Sequence, residues 1–156
     1  MSITPPADAP SVALRVESAA VACLPRYVNE SGRLTDQPVF LSSDEWGTVI
    51  VGDAEIVPST TYEVRADLRV DGEPENLSDA VSVTTWAWGD TNNIDGAELF
   101  DMLCVFDGLL GIFTHCSLYG VDLMAEVPDG TIDTLDTSAV LDAVRALPYP
   151  GSPCSD

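Results

Sequence analysis

Carboxylate and amide side chains recur between Asp90 and Asp101 at a spacing that suits a hard divalent cation. Asp90, Asn92, Asp95, Gly96 and Asp101 follow one another there, and Asp90 to Asp101 spans 12 positions. A calcium loop needs oxygen donors spaced so that the backbone wraps one ion, a glycine for the sharp turn, and a closing carboxylate on the first turn of the exiting helix. All three requirements are met in order. A second set, Asp129, Gly130 and Asp136, lies downstream, and the sequence around it repeats. Leu99-Phe100-Asp101 followed by Cys104–Leu109 overlays Thr134-Leu135-Asp136 followed by Ala139–Val144 at a constant offset of 35 residues, the mark of an internal duplication.

This pattern resembles type I dockerin repeats, in which D-x-N-x-D-G opens a loop and an aspartate closes it at the start of a helix. The resemblance runs from about Trp88 to the end of the chain. It implies Ca²⁺ held by Asp90, Asn92, Asp95 and Asp101 in the first loop and by Asp129 and Asp136 in the second. Two departures stand out. The first loop carries one residue more than the family before its Asp-Gly pair and one fewer after it; in the second, Ala125 and Val127 occupy the first and third ligand positions, leaving Asp122 or Glu126 to replace them. The resemblance further implies a non-catalytic module that docks through its helices onto a cohesin-type partner, with Met102, Leu103, Thr137 and Ser138 at the recognition positions.

Helices must follow each loop to place the closing carboxylates. The spacing predicts one over Asp101–Leu110, with Leu99, Leu103, Phe106 and Leu110 on its packing face, and another over Asp136–Leu147, with Ala139, Val140, Val144 and Leu147 aligned before Pro148 ends it. Two such short helices bury little area, so they need each other and a clamp, either metal or disulfide. Four cysteines, Cys23, Cys104, Cys116 and Cys154, contain no C-x-x-C pair, which favours disulfides over zinc. Cys104 and Cys116 are near enough in sequence to bridge, but all three pairings of the four stay open.

Upstream the pattern is that of β structure. Residues 1–10 are rich in Pro and Ala and read as a linker or a frayed start. Val12–Val16, Thr48–Val51, Thr61–Val70 and Ala80–Thr85 read as strands, Ala19–Leu24 as an extension of the first or a further strand, and Asp71-Gly72 as a turn. The stretch Ile56-Val57-Pro58-Ser59-Thr60-Thr61-Tyr62-Glu63-Val64 is similar to the L-x-P-x-T-x-Y-x-V run of fibronectin type III domains, and Val81–Thr85 to their last strand. That resemblance covers Glu55–Thr85 and implies a tyrosine corner at Tyr62. The expected architecture is therefore α+β: a small, abbreviated fibronectin-type-III-like β-sandwich over residues 11–87, then a dockerin-like pair of loop–helix units over 88–156.

Composition narrows the function classes. The chain carries 26 acids against six arginines and no lysine, a formal net charge of −20. Such a surface repels nucleic acid and anionic lipid and attracts divalent cations and basic partners. No apolar stretch reaches membrane-spanning length. The dockerin resemblance implies an extracellular or cell-surface protein, and because Met1–Pro10 lacks the features of a signal peptide, its export signal is expected upstream. His115 is the only histidine and no common catalytic or nucleotide-binding motif occurs, which argues for a non-catalytic protein. Two alternatives remain: a structural spacer or adhesion segment with vestigial loops, and a carbohydrate-binding module using Trp46, Trp86 and Trp88.

Overall fold

The computed structural model describes residues 1–5, 11–70, 73–76, 78–123, 130–151, 153 and 154. Its secondary structure is α+β, with two antiparallel sheets and few helices. The chain divides into two compact units, Met1–Thr85 together with Ser152–Asp156, and Trp86–Gly151. The break falls two residues before the expected boundary, and the tail groups with the first unit because Cys154 is bonded to Cys23.

The first unit is organised by its longest strand. In order, its strands are β1 (Ser2–Ile3), β2 (Val12–Glu17), β3 (Arg26–Val28), β4 (Leu34–Thr35), β5 (Val49–Ile50), β6 (Thr61–Val70), β7 (Glu73–Asn76) and β8 (Val81–Thr84), with one helical turn, α1 (Ser43–Trp46), before β5. β6 pairs with β2 along one edge and with β7 and β8 along the other, and β3 and β4 extend the sheet beyond β2. The register sets Val12 opposite Leu68, Leu14 opposite Ala66 and Val16 opposite Val64, so alternation gathers the apolar side chains on one face. There they join Ile3 and Val49 from the two-stranded β1–β5 sheet in a single core. The opposite face carries charge, with Arg65 bonded to Glu17 at 2.8 Å and to Glu63 at 3.3 Å.

Side-chain hydrogen bonds fix the loops of this unit. The Tyr62 hydroxyl, fully buried, donates to the Glu55 carbonyl and accepts from the Val57 amide, both at 2.8 Å. Thr85 Oγ1 donates to the Val57 carbonyl and accepts from Thr60 N, closing the same corner. Trp46 is buried, and its indole N–H donates to the Val12 carbonyl at 2.9 Å. α1 starts with a capping box in which Ser42 and Glu45 exchange hydrogen bonds.

Two expectations fail here, and a third falls outside the described residues. Residues 1–10 do not all act as a linker, since Ser2–Ile3 pairs with β5 and extends the core; residues 6–10 lie outside the described set. Ala19–Leu24 forms turns rather than a strand, ending in a cis Leu24-Pro25 bond before β3. The Asp71-Gly72 turn also lies outside the described residues.

The second unit holds α2 (Leu99–Leu109), α3 (Leu118–Val121) and α4 (Thr134–Val144). Its core comprises Cys104, Val105, Val121 and Val140, with Met102, Leu123, Ile132 and Val144 packed against them. Cys104 is bonded to Cys116, which ties α2 to the segment leading into α3. Among the described residues no helix is long and apolar enough to cross a membrane.

Candidate functional site

The two loop–helix repeats share one device. Asp101 and Asp136 are the third residues of α2 and α4, and they are 0% and 1% exposed. One oxygen of each caps its own helix: Asp101 Oδ2 accepts from Glu98 N and Asp136 Oδ2 from Asp133 N, both at 2.8 Å. The other oxygen reaches back to the start of the loop. Asp101 Oδ1 accepts from Thr91 N at 2.7 Å and Thr91 Oγ1 at 2.9 Å, and Asp136 Oδ1 accepts from Leu123 N at 2.6 Å. Burying a carboxylate is costly, but charge-assisted hydrogen bonds and the positive end of a helix dipole offset that cost.

The residue before each of those loop-start donors is again a buried aspartate. Asp90 Oδ1 accepts from Ile94 N at 3.1 Å, and Asp122 Oδ2 from Gly130 N at 2.6 Å. The second loop therefore opens at Asp122, one of the two residues expected to replace the missing ligands. Asp122 to Asp136 spans 15 positions against 12 for Asp90 to Asp101, so three residues are inserted. The insertion hides the equivalence from a fixed-offset overlay, although an aspartate ahead of each Asp-Gly pair was a signal available in the sequence. Asp129, with Ala125, Glu126 and Val127, lies outside the described residues.

Packing repeats the symmetry with sizes exchanged. A side chain added at Gly108 on α2 would press on Val121 and Ile132, while one at Gly89, which sits at φ +73°, would collide with Ala143 on α4 and approach Ala97. Gly108 and Ala143 are matched positions of the duplication, as are Ile132 and Ala97. A small helix residue thus faces large partners in one half and small partners in the other, keeping total volume matched to the space.

Within the first loop the expected ligands fare differently. Asp90 and Asp101 are buried; Asn92 is half-buried, and its Oδ1 is shielded from solvent without a hydrogen-bond partner. Asp95 is exposed at φ +60°, next to Gly96 at φ +80°. Asp90, Asn92 and Asp101 are hard oxygen donors of the kind Ca²⁺ prefers, and an orphaned buried amide oxygen fits that use. Among the described residues no group of three or more His, Cys, Asp or Glu side chains is placed to hold a metal ion.

The expected packing face of α2 is wrong. Leu99, Leu103, Phe106 and Leu110 are 67%, 50%, 44% and 75% exposed, and the buried face is instead Asp101, Cys104, Val105 and Gly108. The helix is apolar almost all round, so periodicity alone cannot orient it; the buried aspartate does. α4 buries Ala139, Val140 and Ala143, and Leu147, beyond its end, is exposed. Of the recognition positions, Leu103 and Ser138 are exposed, Met102 packs against the core, and Thr137 Oγ1 donates to the Asp133 carbonyl at 3.3 Å.

His115 is exposed, and its neighbour Cys116 is held in a disulfide and supplies no thiolate. Of the tryptophans considered for sugar stacking, Trp46 is buried, Trp88 is half-buried and meets Tyr149 edge-on at 5.1 Å, and only Trp86 is exposed. Comparison with protein-family models, with curated proteins and with solved structures returns no match to this chain.

Proposed function

We propose that Trp86–Gly151 is a non-catalytic, calcium-stabilised protein-interaction module of dockerin-like type, carried with a fibronectin-type-III-like β unit in an extracellular or cell-surface protein. The observation that supports it best is the twinned loop–helix device, in which Asp101 and Asp136 make matching backbone hydrogen bonds and Asp90 and Asp122 each accept a loop N–H, from different positions. Asp90, Asn92 and Asp101 would hold the ion in the first loop, with Asp122 and Asp136 serving the second. Bound Ca²⁺ supplies positive charge beside buried carboxylates and a partner for the Asn92 oxygen.

The buried Tyr62 hydroxyl, bonded to backbone a few residues upstream, supports the fibronectin-like half of the reading. Two disulfides suit an oxidising, extracellular compartment. A cohesin-type protein is the partner the dockerin resemblance suggests. One observation favours the second reading, a spacer with vestigial loops: loop donors already satisfy both oxygens of Asp101.

Thermal unfolding of the oxidised chain in excess Ca²⁺ and in excess chelator decides between them. A ligand bound only to the folded state stabilises it by ~2.7 kcal/mol at a hundred times Kd, and the expected outcome is a midpoint several degrees higher with Ca²⁺. Equal midpoints at millimolar Ca²⁺ would sink the calcium reading and leave the spacer.

A further inference from the structure

Among the described residues, α2 exposes five large apolar side chains, Leu99, Phe100, Leu103, Phe106 and Leu109, where α4 exposes Leu135. Leu99, Leu103 and Phe106 on the helix and Leu110 at its C-cap are separated by four, three and four residues, the spacing of a heptad seam. Phe100 beside them is 64% exposed. The described residues of the second unit leave these side chains exposed. A contiguous apolar strip of this kind on a chain with net charge −20 marks an interaction surface.

We infer that this seam docks a basic amphipathic helix of a partner protein. The spacing selects a helix, because side chains four and three apart on one helix fit the holes of another packed nearly parallel to it. The charge selects the partner's margins. Trp86–Gly151 has eleven acids against Arg145 alone; Asp107 lies on α2 between Leu103 and Leu110, Glu98 caps the helix, and Asp95 is exposed in the loop before it. A partner helix with leucines on one face and lysine or arginine along its edges complements both features, whereas a second copy would bring acid against acid. This inference rests on the reading of Trp86–Gly151 as an interaction module but not on calcium.

The test uses the full oxidised chain and a synthetic fluorescent helix of about 18 residues, five turns, with leucines at heptad positions and lysines flanking them. Two control peptides are needed, one with the same composition scrambled and one with glutamates replacing the lysines. Fluorescence anisotropy should show binding of the lysine-edged helix only. Leu103→Asp or Phe106→Asp should weaken it at least about tenfold, which is ~1.4 kcal/mol. Leu135→Asp, at an exposed position on α4, should leave it unchanged. Should the aspartate variants fail to fold by circular dichroism, Leu103→Gln and Phe106→Gln give the same readout.

No binding of the lysine-edged helix, or equal binding of the scrambled peptide, overturns the proposal. So does a wild-type dimer in sedimentation that the same variants dissociate, since a second copy then occupies the seam. Running the titration in Ca²⁺ and in chelator separates the two readings. Binding without any calcium-dependent midpoint shift retains the seam and removes the metal, while a calcium shift without binding removes the seam alone.

Discussion

Among the described residues, thirteen apolar side chains from Ile3 to Ala66 are buried together in the β unit, against four in the loop–helix unit. Each large side chain buried contributes about 1.5–3 kcal/mol, so the first unit is held mainly by hydrophobic burial and the second is not. What the second unit adds to its smaller apolar core is twinned helix-start carboxylates bonded to backbone, a disulfide between residues 12 apart and close contacts at small residues. Polar and covalent fastenings of that kind can leave apolar side chains free for a partner. The contrast explains why the larger exposed apolar surface lies on the smaller core.

The sharpest way to break this comparison is Asp101→Ala. It leaves the Thr91 and Glu98 donors without their acceptor in a buried site, and the expected loss is about 3–5 kcal/mol, confined to the second unit. Hydrogen exchange resolved by segment should show α2 and α4 amides losing protection while β2 and β6 keep theirs; a uniform loss would mean the units do not differ as described.

Removing the Cys104–Cys116 bridge as a double alanine variant should cost about 3 kcal/mol, as closure of a loop of this size implies, and chemical denaturation of the second unit measures it. The same experiment in Ca²⁺ sharpens the point, because a metal clamp would recover part of the loss. In the β unit, Tyr62→Phe removes a hydroxyl with two backbone partners and should cost about 1–3 kcal/mol by denaturation, with the fold retained because the apolar core is intact.

The smallest effect concerns Glu45. A hydrogen bond from the Ser42 hydroxyl, and then one from the Ser42 amide, holds its carboxyl below the usual carboxylate range. Because the folded value is lowered, this contribution is present above the unfolded carboxylate value and is lost as pH falls through the folded one. In Ser42→Ala, NMR titration should show the Glu45 midpoint moving up toward the ordinary value; an unchanged midpoint would remove the capping box as its cause.

Much of this organisation could be read from the residues. Alternation located β6 to the residue, and the duplicated L-x-D pattern located both helices. The strands β1, β3 and β4 could not be found because two or three residues hold no period, and they exist only through their long-range partners. The Ser42-x-x-Glu45 capping box is a local sequence signal for the start of α1. The orientation of α2 was illegible for a different reason. Its buried face includes an aspartate, and a pattern that assigns polar residues to solvent turns that helix the wrong way. The start of the second loop was displaced by three inserted residues, and cysteine pairing is a property of the folded chain alone.

The Cys23–Cys154 bond changes the topology of the chain as a mechanical object. Trp86–Gly151 is an insertion whose two ends both lead back to the first unit, one through Thr85 and the other through Cys154 to Cys23. A load applied at α2 is therefore shared by two covalent strands rather than carried by one. A protease cutting anywhere between Cys23 and Cys154 leaves both fragments joined, and only a cut together with a reductant sets them apart.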